Sequence, residues 1–305
     1  MQICVLMSTY NGEKYIIEQL NSIFSQECKN CNVRVIIRDD GSEDNTVAIC
    51  EEYATKNKFD INIIRGKNVG PAKSFLELIA SCTKSDFYAF CDQDDIWLQG
   101  KLAKAVSALS QMDAVPGLWV SNFNVVDDRL NTLIECPLER PEEDPLRVLF
   151  YNNVPGCTMV FNRYLLLEMQ KLCISDFRMH DILALDIASI TGKVCFEPNA
   201  YVLYRQHQNN ALGYGNKQIS FWAWLEKKIM YLKKNEDYHI SEYAEKVLSR
   251  YNSVLNEEQR KEFILISQYK KSFIFTLKLL AKPYTHDGIN RTSISIRSKI
   301  LLRRF

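Results

Sequence analysis

The strongest constraint on the fold is an alternation, within the first hundred residues, of short apolar segments and stretches with helical periodicity. Four apolar segments predict buried strands, because continuous apolar runs are typical of strands covered on both faces; they are residues 3–7, 33–37, 61–64 and 87–91. Between them, helical spacing of apolar residues predicts helices over 14–26, 45–56 and 71–82. The alternation predicts an α/β fold with a Rossmann-like, mostly parallel central sheet and helices on both faces.

Each predicted strand is followed directly by a cluster of polar residues. The clusters are Ser8-Thr-Tyr-Asn11, Asp39-Asp-Gly-Ser42, Asn68-Val-Gly70 and Asp92-Gln-Asp-Asp95. In parallel sheets, ligands bind beyond the carboxyl ends of the strands. Turn formation explains any one cluster, but four clusters at the same edge predict a ligand site.

The acidic cluster after the fourth strand has the composition of a metal site. Asp92, Asp94 and Asp95 put three carboxylates into four residues, where like charges repel unless a cation neutralises them. Paired carboxylates suit Mg²⁺ or Mn²⁺, which also bridge substrate phosphates. Asp94 is the first choice of ligand, with Asp92 assisting, and Asp95 alternatively caps the next helix. A solvated loop is the other interpretation of this cluster.

The cluster after the second strand also has two interpretations. Ser42 or Asp44 would cap the following helix, as these residue types commonly do. A spare carboxylate before the turn could instead accept hydrogen bonds from a nucleobase or a ribose.

The second half of the chain predicts the rest of this domain and a change of texture near residue 215. Residues 118–162 are less regular until a strand at 157–161. Helices are predicted at 163–172 and 181–191, and strands at 193–196 and 200–205. We therefore predict one domain over residues 1–215 and a basic α-helical region over residues 216–305.

The C-terminal region differs from the rest of the chain in charge. Residues 216–305 contain 18 basic and nine acidic side chains, although the whole chain has a net charge of only +1. The aromatic segment 221–225 precedes lysines at 227, 228, 233 and 234, a composition typical of helices at membrane interfaces. This predicts contact with an anionic membrane surface. No nucleic-acid partner is expected, because no nucleic-acid motif is present. Helices at 240–255 and 257–282 could equally pack on the main domain or form an oligomer.

Cysteine usage and the apolar segments bear on where the protein works. Ten scattered cysteines are too few for a disulfide scaffold, and the one close pair, Cys28 and Cys31, is expected to consist of unreactive thiols. Met1 leads directly into a strand, so no signal peptide is predicted. No apolar stretch approaches the ~20 residues of a membrane span. The expected location is the cytoplasm, including peripheral attachment to the inner face of the cell membrane.

Seven short motifs share their order and spacing with one known family. In the first hundred residues they are Ser8–Gly12, Arg38–Ser42 with Thr46, Asn68–Pro71, and Cys91–Trp97 with Lys101. Further along they are Pro155–Asn162, Met179–Asp181, and Tyr204–His207 with Asn210 and Gly213. Over about residues 1–215 the chain thus resembles family-2 glycosyltransferases, and more narrowly the bacterial rhamnosyltransferase-like members. It departs from the family at Ile182 and Leu183, where aromatic residues often follow the His-Asp pair.

The resemblance implies a GT-A fold, a dTDP- or UDP-sugar donor with dTDP-L-rhamnose as the first choice, and inversion at the anomeric carbon. It implies that the nucleoside pocket is lined by Ser8, Tyr10, Glu13 and Asp40. Asp92 would lie near the ribose and diphosphate, Asp94 and His207 at the metal, and Arg205 near the leaving group. Asp181 would be the catalytic base. The acceptor side is expected at Trp97, Gly156, Cys157 and His180.

Several of these residues also have an ordinary structural interpretation. Asp181 could be a helix N-terminal carboxylate, whose pKa the helix dipole would depress. His180 could orient Asp181 or simply pack, and Trp97 could stack on a sugar or pack beneath its loop. His207 and Arg205 alternate along a predicted strand, so both face one side, which suits contact with a diphosphate.

The sequence therefore predicts an inverting, metal-dependent glycosyltransferase that acts on a saccharide, expected to be lipid-linked, in bacterial surface-polysaccharide assembly such as that of capsule. A nucleotidyltransferase that makes sugar nucleotides is an alternative, but it would need a Gly-rich basic loop, whereas residues 8–14 contain one Gly and one Lys. A non-catalytic scaffold of a polysaccharide-assembly complex is the third interpretation. The presence of Asp94, Asp181 and His207 argues against it.

Overall fold

The structure, a computed structural model, describes residues 1–172, 177–207, 239–283 and 291–303, without the side chains of residues 291 and 292. The first elements alternate as predicted: β1 Gln2–Thr9, α1 Ile16–Phe24, β2 Asn32–Asp39, α2 Thr46–Asn57, β3 Ile61–Arg65, α3 Pro71–Ser81 and β4 Phe87–Cys91. The α/β alternation of the first hundred residues is confirmed.

The first four strands form a parallel sheet in the order β3-β2-β1-β4. Ile3 to Met7 of β1 are completely buried at the centre of the core. The connections from β1 to β2 and from β2 to β3 run in one direction across the sheet, and the connection to β4 reverses it. Right-handed crossovers therefore put α1 and α2 on one face and α3 on the other.

The remaining strands extend this sheet and make it mixed. The further elements are β5 Ile96–Trp97, α4 Lys101–Leu109, β6 Gly117–Val126, β7 Thr132–Ile134, α5 Pro145–Phe150, β8 Met159–Asn162, α6 Arg163–Leu172, α7 His180–Thr191 and β9 Lys193–Arg205. Within the described residues the full order is β3-β2-β1-β4-β8-β6-β9-β5, with β7 beside β6. β8 is antiparallel to both of its neighbours, whereas β6 and β9 are parallel.

Two strands of this second half differ from the sequence prediction. The ten-residue strand β6 lies where the sequence is less regular, because polar residues interrupt its apolar pattern. One of them, Asn122, is buried and exchanges hydrogen bonds with the backbone of Leu138. β9 continues across Pro198, where two separate strands are predicted, and the register with β6 shifts near that residue. In β6 a hydrogen-bonded polar side chain stands where the pattern would place an apolar one, and in β9 a local bulge lets the strand continue through a proline.

Four helices make up the described part of the C-terminal region: α8 Ile240–Tyr251, α9 Glu257–Gln268, α10 Phe273–Leu280 and α11 Arg291–Leu301. α8 packs on the main domain through buried rings, with the Phe177 and Tyr243 centroids 4.9 Å apart. Tyr243 donates a hydrogen bond to Asp186 of α7, and Tyr251 donates one to Glu168 of α6. For α8, packing on the main domain is thus the interpretation that the structure supports.

Two predictions about this region fall outside the described residues. They are the boundary at residue 215 and the aromatic, lysine-rich segment 221–234. None of the helices in the described ranges combines the length and the apolar composition that crossing a bilayer requires.

The expectation of unreactive thiols at Cys28 and Cys31 is wrong. The turn between α1 and β2 brings their Cα atoms to 5.4 Å, and the structure joins the two residues by a disulfide. That separation lies within the range that disulfides span. Sequence spacing alone did not reveal how tightly this turn closes.

The contact between Tyr243 and Asp186 yields a stability prediction. Tyr243→Phe leaves the fully buried Asp186 carboxyl without its hydroxyl partner, so the free energy of unfolding should fall by roughly 1–3 kcal/mol, measured by urea denaturation. Tyr251→Phe is the matched control, because Glu168 keeps its partner Lys171. Equal losses in the two variants would contradict the assigned role of Asp186.

Candidate functional site

The polar loops after β1 and β2 are tied together at the carboxyl edge of the sheet. The backbone N–H of Asn11 donates to Ser42 Oγ at 2.9 Å, and that of Glu43 donates to Asn11 Oδ1 at 2.9 Å. The N–H of Gly12 donates to Thr46 Oγ1 at 2.7 Å. The predicted meeting of polar clusters at one edge is therefore present in the structure.

The two carboxylates at the end of β2 hold loops in place. Asp39 accepts hydrogen bonds from the N–H groups of Gly41 and Ser42, which closes the turn, and another from the Thr9 hydroxyl. Asp39 therefore shapes the turn. Of the two expected caps, Asp44 accepts from the Thr46 N–H at the start of α2 at 2.9 Å, whereas Ser42 accepts from Asn11 instead.

Asp40, the residue expected in the nucleoside pocket, is buried beside Arg38. The Asp40 Oδ1 and Arg38 Nη1 atoms lie 2.6 Å apart. Asp40 also accepts hydrogen bonds from the backbone N–H groups of Val69 and Gly70, at 2.9 and 2.8 Å. Asp40 thereby fixes the loop before α3. Its Oδ2 atom accepts from Gly70, and a carboxylate oxygen can accept a second hydrogen bond, from a ligand.

The other residues expected around the nucleoside lie at the same edge. The Ser8 hydroxyl is 2.6 Å from the Ser74 hydroxyl of α3. Tyr10 has a side chain that is 44% exposed. Glu13 accepts two hydrogen bonds from Asn45, one from the backbone and one from the side chain. The exposed ring of Tyr10 is thus accessible to a ligand.

Gln93, which lies between the acidic residues, joins the loop after β4 to the loop after β1. Its amide donates to the Tyr10 carbonyl and accepts from the Tyr10 N–H, both at 2.9 Å. Gly12 lies directly beside it, because a Cβ atom at residue 12 would come within 2.2 Å of Gln93 Oε1. No sequence pattern assigns Gln93 a role, and its position inside the acidic motif is the one signal that points to it.

The two residues predicted as metal ligands lie next to each other. Asp94 Oδ2 and His207 Nε2 are 2.8 Å apart, although 113 residues separate them in the chain. Two ligands at adjacent positions of an octahedral Mg²⁺ or Mn²⁺ site would be about 3 Å apart, so this pair fits such an ion. The His207 ring stacks on Tyr15, with centroids 4.8 Å apart, which fixes its orientation.

Arg205, expected near the leaving group, holds the acidic loop through hydrogen bonds to two of its residues. It is buried, and its Nε donates to the Asp94 carbonyl at 2.9 Å, while its backbone N–H donates to Asp95 Oδ1 at 3.0 Å. Its Nη2 pairs with Glu18 at 2.5 Å. These contacts give Arg205 a positioning role, and its contact with a diphosphate stays a prediction.

Three other groups of the site form a tight acidic cluster. Within the described ranges, ligand atoms of Asp92, Asp95 and Cys157 all lie within 4.8 Å of one another. Burial raises the pKa of Asp92 to about 7, and the negative charges of Asp94 and Asp181 add to this rise. Burial also raises the pKa of Asp95 well above its usual range. These carboxylates therefore need a positive charge nearby if they are to stay ionised.

Lys101 supplies positive charge from below this cluster. Its ammonium is completely buried, donates to the Cys157 carbonyl and lies 3.9 Å from the centre of the Trp97 ring. Burial lowers the pKa of Lys101 to about 8, so the group is still mostly charged at neutral pH. Its charge lowers the pKa of Asp92. Through Trp97 and the Cys157 carbonyl, Lys101 contacts both the acidic loop and the turn at Gly156–Thr158, where the acceptor side is expected.

Trp97 follows the packing interpretation rather than the stacking one. It is 2% exposed, lies beneath the acidic loop against Lys101, and its backbone N–H donates to Ser22 Oγ at 3.0 Å. A side chain so covered presents no ring face to a sugar.

Asp181 lies in the first turn of α7, near enough to the acidic cluster for its charge to act on Asp92. Burial raises the pKa of Asp181 to about 6, although the N–H of Ile182 and the charge of Arg178 oppose the rise. A depressed pKa, which an ordinary N-terminal helix carboxylate would show, is therefore not what this environment produces. The charge of Asp181 in turn raises the pKa of Asp92.

His180 packs in the core beside this carboxylate. Its ring stacks on Phe75 at a centroid distance of 3.8 Å and meets the edge of Phe90 at 4.5 Å. Burial lowers the pKa of His180 to about 3, so the ring is neutral. A Cβ at Gly156 would lie 2.5 Å from His180 Nε2, so the turn at Gly156 needs glycine to approach the ring.

Comparison with protein families and curated proteins gives consistent matches. The model of Glycosyl transferase family 2 matches residues 4–167. The dTDP-rhamnosyl transferase RfbG of Shigella flexneri is 33% identical over 229 residues, which are 71% of this chain and 76% of that protein. An uncharacterized glycosyltransferase of Haemophilus influenzae is 27% identical over 250 residues, 78% of this chain and 74% of its own.

Solved structures share the fold at lower identity. TarS 1–349 of Staphylococcus aureus, in complex with UDP-GlcNAc, has a TM-score of 0.62 and 19% identity, covering 100% of this chain and 82% of that one. The mannosyltransferase PcManGT of Pyrobaculum calidifontis, in complex with GDP-Man and Mn²⁺, has a TM-score of 0.54 and 18% identity, covering 99% and 88%. The predicted α/β GT-A fold with a helical C-terminal region is confirmed.

The buried, neutral His180 predicts how stability depends on pH. The unfolded side chain binds a proton below about pH 6.5, but the folded one does so only near 3, so His180 removes stability as the pH falls through this window, by at most ~1.4 kcal/mol per unit. Asp92 and Asp181, whose pKa values are raised, act in the opposite direction. Urea denaturation of the wild type and of His180→Leu separates the effect of the histidine from that of the carboxyls. The free energy of unfolding of the wild type minus that of the variant should decrease as the pH falls.

A matched control for this measurement is Phe161→Leu. Phe161 is another completely buried ring but has no titratable group, so the stability that its replacement removes should not depend on pH. A pH-independent difference between wild type and His180→Leu would refute the neutral, buried state of this ring.

Proposed function

The chain belongs to glycosyl transferase family 2, and we propose that it transfers L-rhamnose from dTDP-L-rhamnose, with inversion, to a saccharide acceptor. As a glycosyltransferase it takes its sugar from a nucleotide-sugar donor. Rhamnose is supported by the 33% identity with a dTDP-rhamnosyl transferase over most of both chains. The single observation that carries the proposed mechanism is that Asp181 lies close enough to the acidic loop for its charge to raise the pKa of Asp92.

On the donor side, Asp94 and His207 would hold Mg²⁺ or Mn²⁺. When bound, such an ion stabilises negative charge on the departing diphosphate without a proton. Tyr10 would offer its exposed ring to the nucleoside, with Ser8, Glu13 and Asp40 at the same edge. Arg205 and Lys101 hold the acidic loop in place beneath the donor.

On the acceptor side, Asp181 would act as the base. As the acceptor hydroxyl oxygen bonds to the anomeric carbon, the bond from that carbon to the diphosphate oxygen breaks, and the hydroxyl proton moves to the Asp181 carboxylate. A pKa of about 6 suits this task, because the carboxylate is mostly ionised at neutral pH yet basic enough to receive a proton. One displacement of this kind inverts the configuration at the anomeric carbon.

The acceptor is proposed to be a lipid-linked saccharide of bacterial surface-polysaccharide biosynthesis, used at the cytoplasmic face of the membrane. The turn at Gly156 and Cys157, which contacts His180 and Lys101, would lie on its side of the site.

The first test is the binding of donor and metal. dTDP-L-rhamnose with Mn²⁺ should raise the melting temperature of the wild type more than UDP-GlcNAc or GDP-mannose does, because a ligand stabilises the folded state that binds it. Asp94→Asn and His207→Ala should each weaken Mn²⁺ binding on the order of tenfold or more, measured by calorimetry in the presence of dTDP. Asp113→Asn and His239→Ala, away from the site, are the matched controls. Unchanged Mn²⁺ affinity in both site variants would reject the assigned ligands.

The second test separates the base from donor binding. Asp181→Asn should lower kcat by about 10²–10⁴-fold while leaving the affinity for donor and Mn²⁺ unchanged. In the wild type, kcat at saturating substrates should rise with pH through about 6, since Asp181 must lose its proton to act. The residual activity of Asp181→Asn should lack this rise. Full transfer activity in the variant would overturn the assignment of Asp181.

A further inference from the structure

Helix α10 leaves an apolar face uncovered. Phe273, Ile274 and Leu277 are 71%, 63% and 50% exposed, while Thr276 and Leu279 turn into the protein and are buried. Residues at i, i+1 and i+4 lie on one side of a helix, so the three large side chains form one patch. Contiguous exposed patches of this kind mark interaction surfaces.

Basic residues accompany this patch. Lys270 and Lys271 precede α10, Lys278 lies on its exposed side, and no acidic residue occurs between residues 270 and 283. The Lys278 ammonium lies 5.8 Å from the Phe275 ring centre, beside the apolar side chains. The surface thus combines exposed apolar groups with positive charge.

A groove of about 570 Å³ runs beside the patch, between α9 and α10. Its lining surface is mainly apolar, and its charged lining residues are Lys261, Lys278 and Lys282 together with one acid, Glu262, which pairs with Lys282. Apolar volume next to lysine ammonium groups matches the chemistry of an anionic lipid, whose acyl chains and phosphate lie side by side.

Charge distinguishes a lipid surface from a second copy of this chain. In a two-fold dimer the same patch meets itself, so Lys270 and Lys278 would face their counterparts with no acid from residues 270–283 between them, while Lys271 keeps its ion pair with Glu245 at 3.7 Å. An anionic bilayer satisfies both features at once, since it takes up apolar side chains and attracts cations.

We propose that the α10 patch, comprising Phe273, Ile274 and Leu277 with Lys270, Lys271 and Lys278, is a docking surface for anionic phospholipid bilayers. The apolar side chains enter the boundary between headgroups and acyl chains, and the lysines lie among the phosphates. This surface is distinct from the aromatic segment 221–234 that the sequence singles out. It rests on the proposed function in one respect: a lipid-linked acceptor gives the attachment a use.

The test is co-sedimentation of the full chain with vesicles of equal parts phosphatidylglycerol and phosphatidylcholine. Wild type should bind these vesicles at low salt and should not bind pure phosphatidylcholine. The triple variant Lys270→Gln/Lys271→Gln/Lys278→Gln should lose roughly 100-fold in partition coefficient, at about fivefold per lysine. Phe273→Ser/Ile274→Ser/Leu277→Ser should lose on the order of 100-fold through the apolar contacts.

Matched surface variants control for nonspecific effects. Leu133→Ser/Val254→Ser replaces apolar side chains that are each 56% exposed elsewhere, and Lys56→Gln/Lys58→Gln/Lys84→Gln removes three other exposed lysines. Both should bind vesicles like the wild type. If the α10 variants also bind like the wild type, the proposal is wrong. It is equally wrong if they convert a dimer to a monomer in sedimentation without any change in lipid binding.

Donor binding in the same variants separates this proposal from the proposed function. Stabilisation by dTDP-L-rhamnose and Mn²⁺ should be the same in the α10 variants and the wild type, because α10 contributes no residue to the donor site. A wild type that binds vesicles but no nucleotide sugar would overturn the proposed function and leave the docking surface intact.

Discussion

Three carboxylates within four residues, at the end of a buried strand, must be held together against their mutual repulsion, and much of the site follows from this constraint. The loop is braced by Arg205 from β9, Lys101 from α4 lies under it, and His207 meets Asp94 from just beyond β9. Lys101 follows the loop closely in the chain, whereas Arg205 and His207 come from the end of β9 and just beyond it, 111 and 113 residues after Asp94. Residues at and just after the end of β9 are therefore needed to stabilise the negative charge of the loop that follows β4.

The sequence was most informative where local pattern decides structure. The first four strands, their helices and the common edge of the polar clusters could be predicted, because buried parallel strands have continuous apolar sequences. β6 could not be predicted, since Asn122 satisfies its hydrogen bonds through Leu138, a contact that no periodicity reveals. The pairing of Asp94 with His207 was accessible only through the resemblance to a family, because the two residues are far apart in the chain.

Where local and tertiary effects compete at the site, the tertiary effect decides. The helix dipole at the start of α7 favours an ionised Asp181, yet burial raises the pKa of Asp181 to about 6. Asp40 also could not be understood from its turn motif alone. Besides pairing with Arg38, it accepts hydrogen bonds from Val69 and Gly70, which belong to the loop before α3. Helix α7 also carries Asp186, the partner of Tyr243, so the element that presents the proposed base is the one on which α8 rests.

The hydrogen-bonded pair of Tyr10 and Gln93 has a consequence for how such a site can diverge. Gln93 reaches the Tyr10 backbone only because residue 12 has no side chain to occupy that space. A larger residue at position 12 would displace the amide and release Tyr10, whereas a shorter residue at position 93 would make room but lose both hydrogen bonds. Positions 12 and 93 are therefore coupled through shape, and relatives that change one of them should be found to change the other.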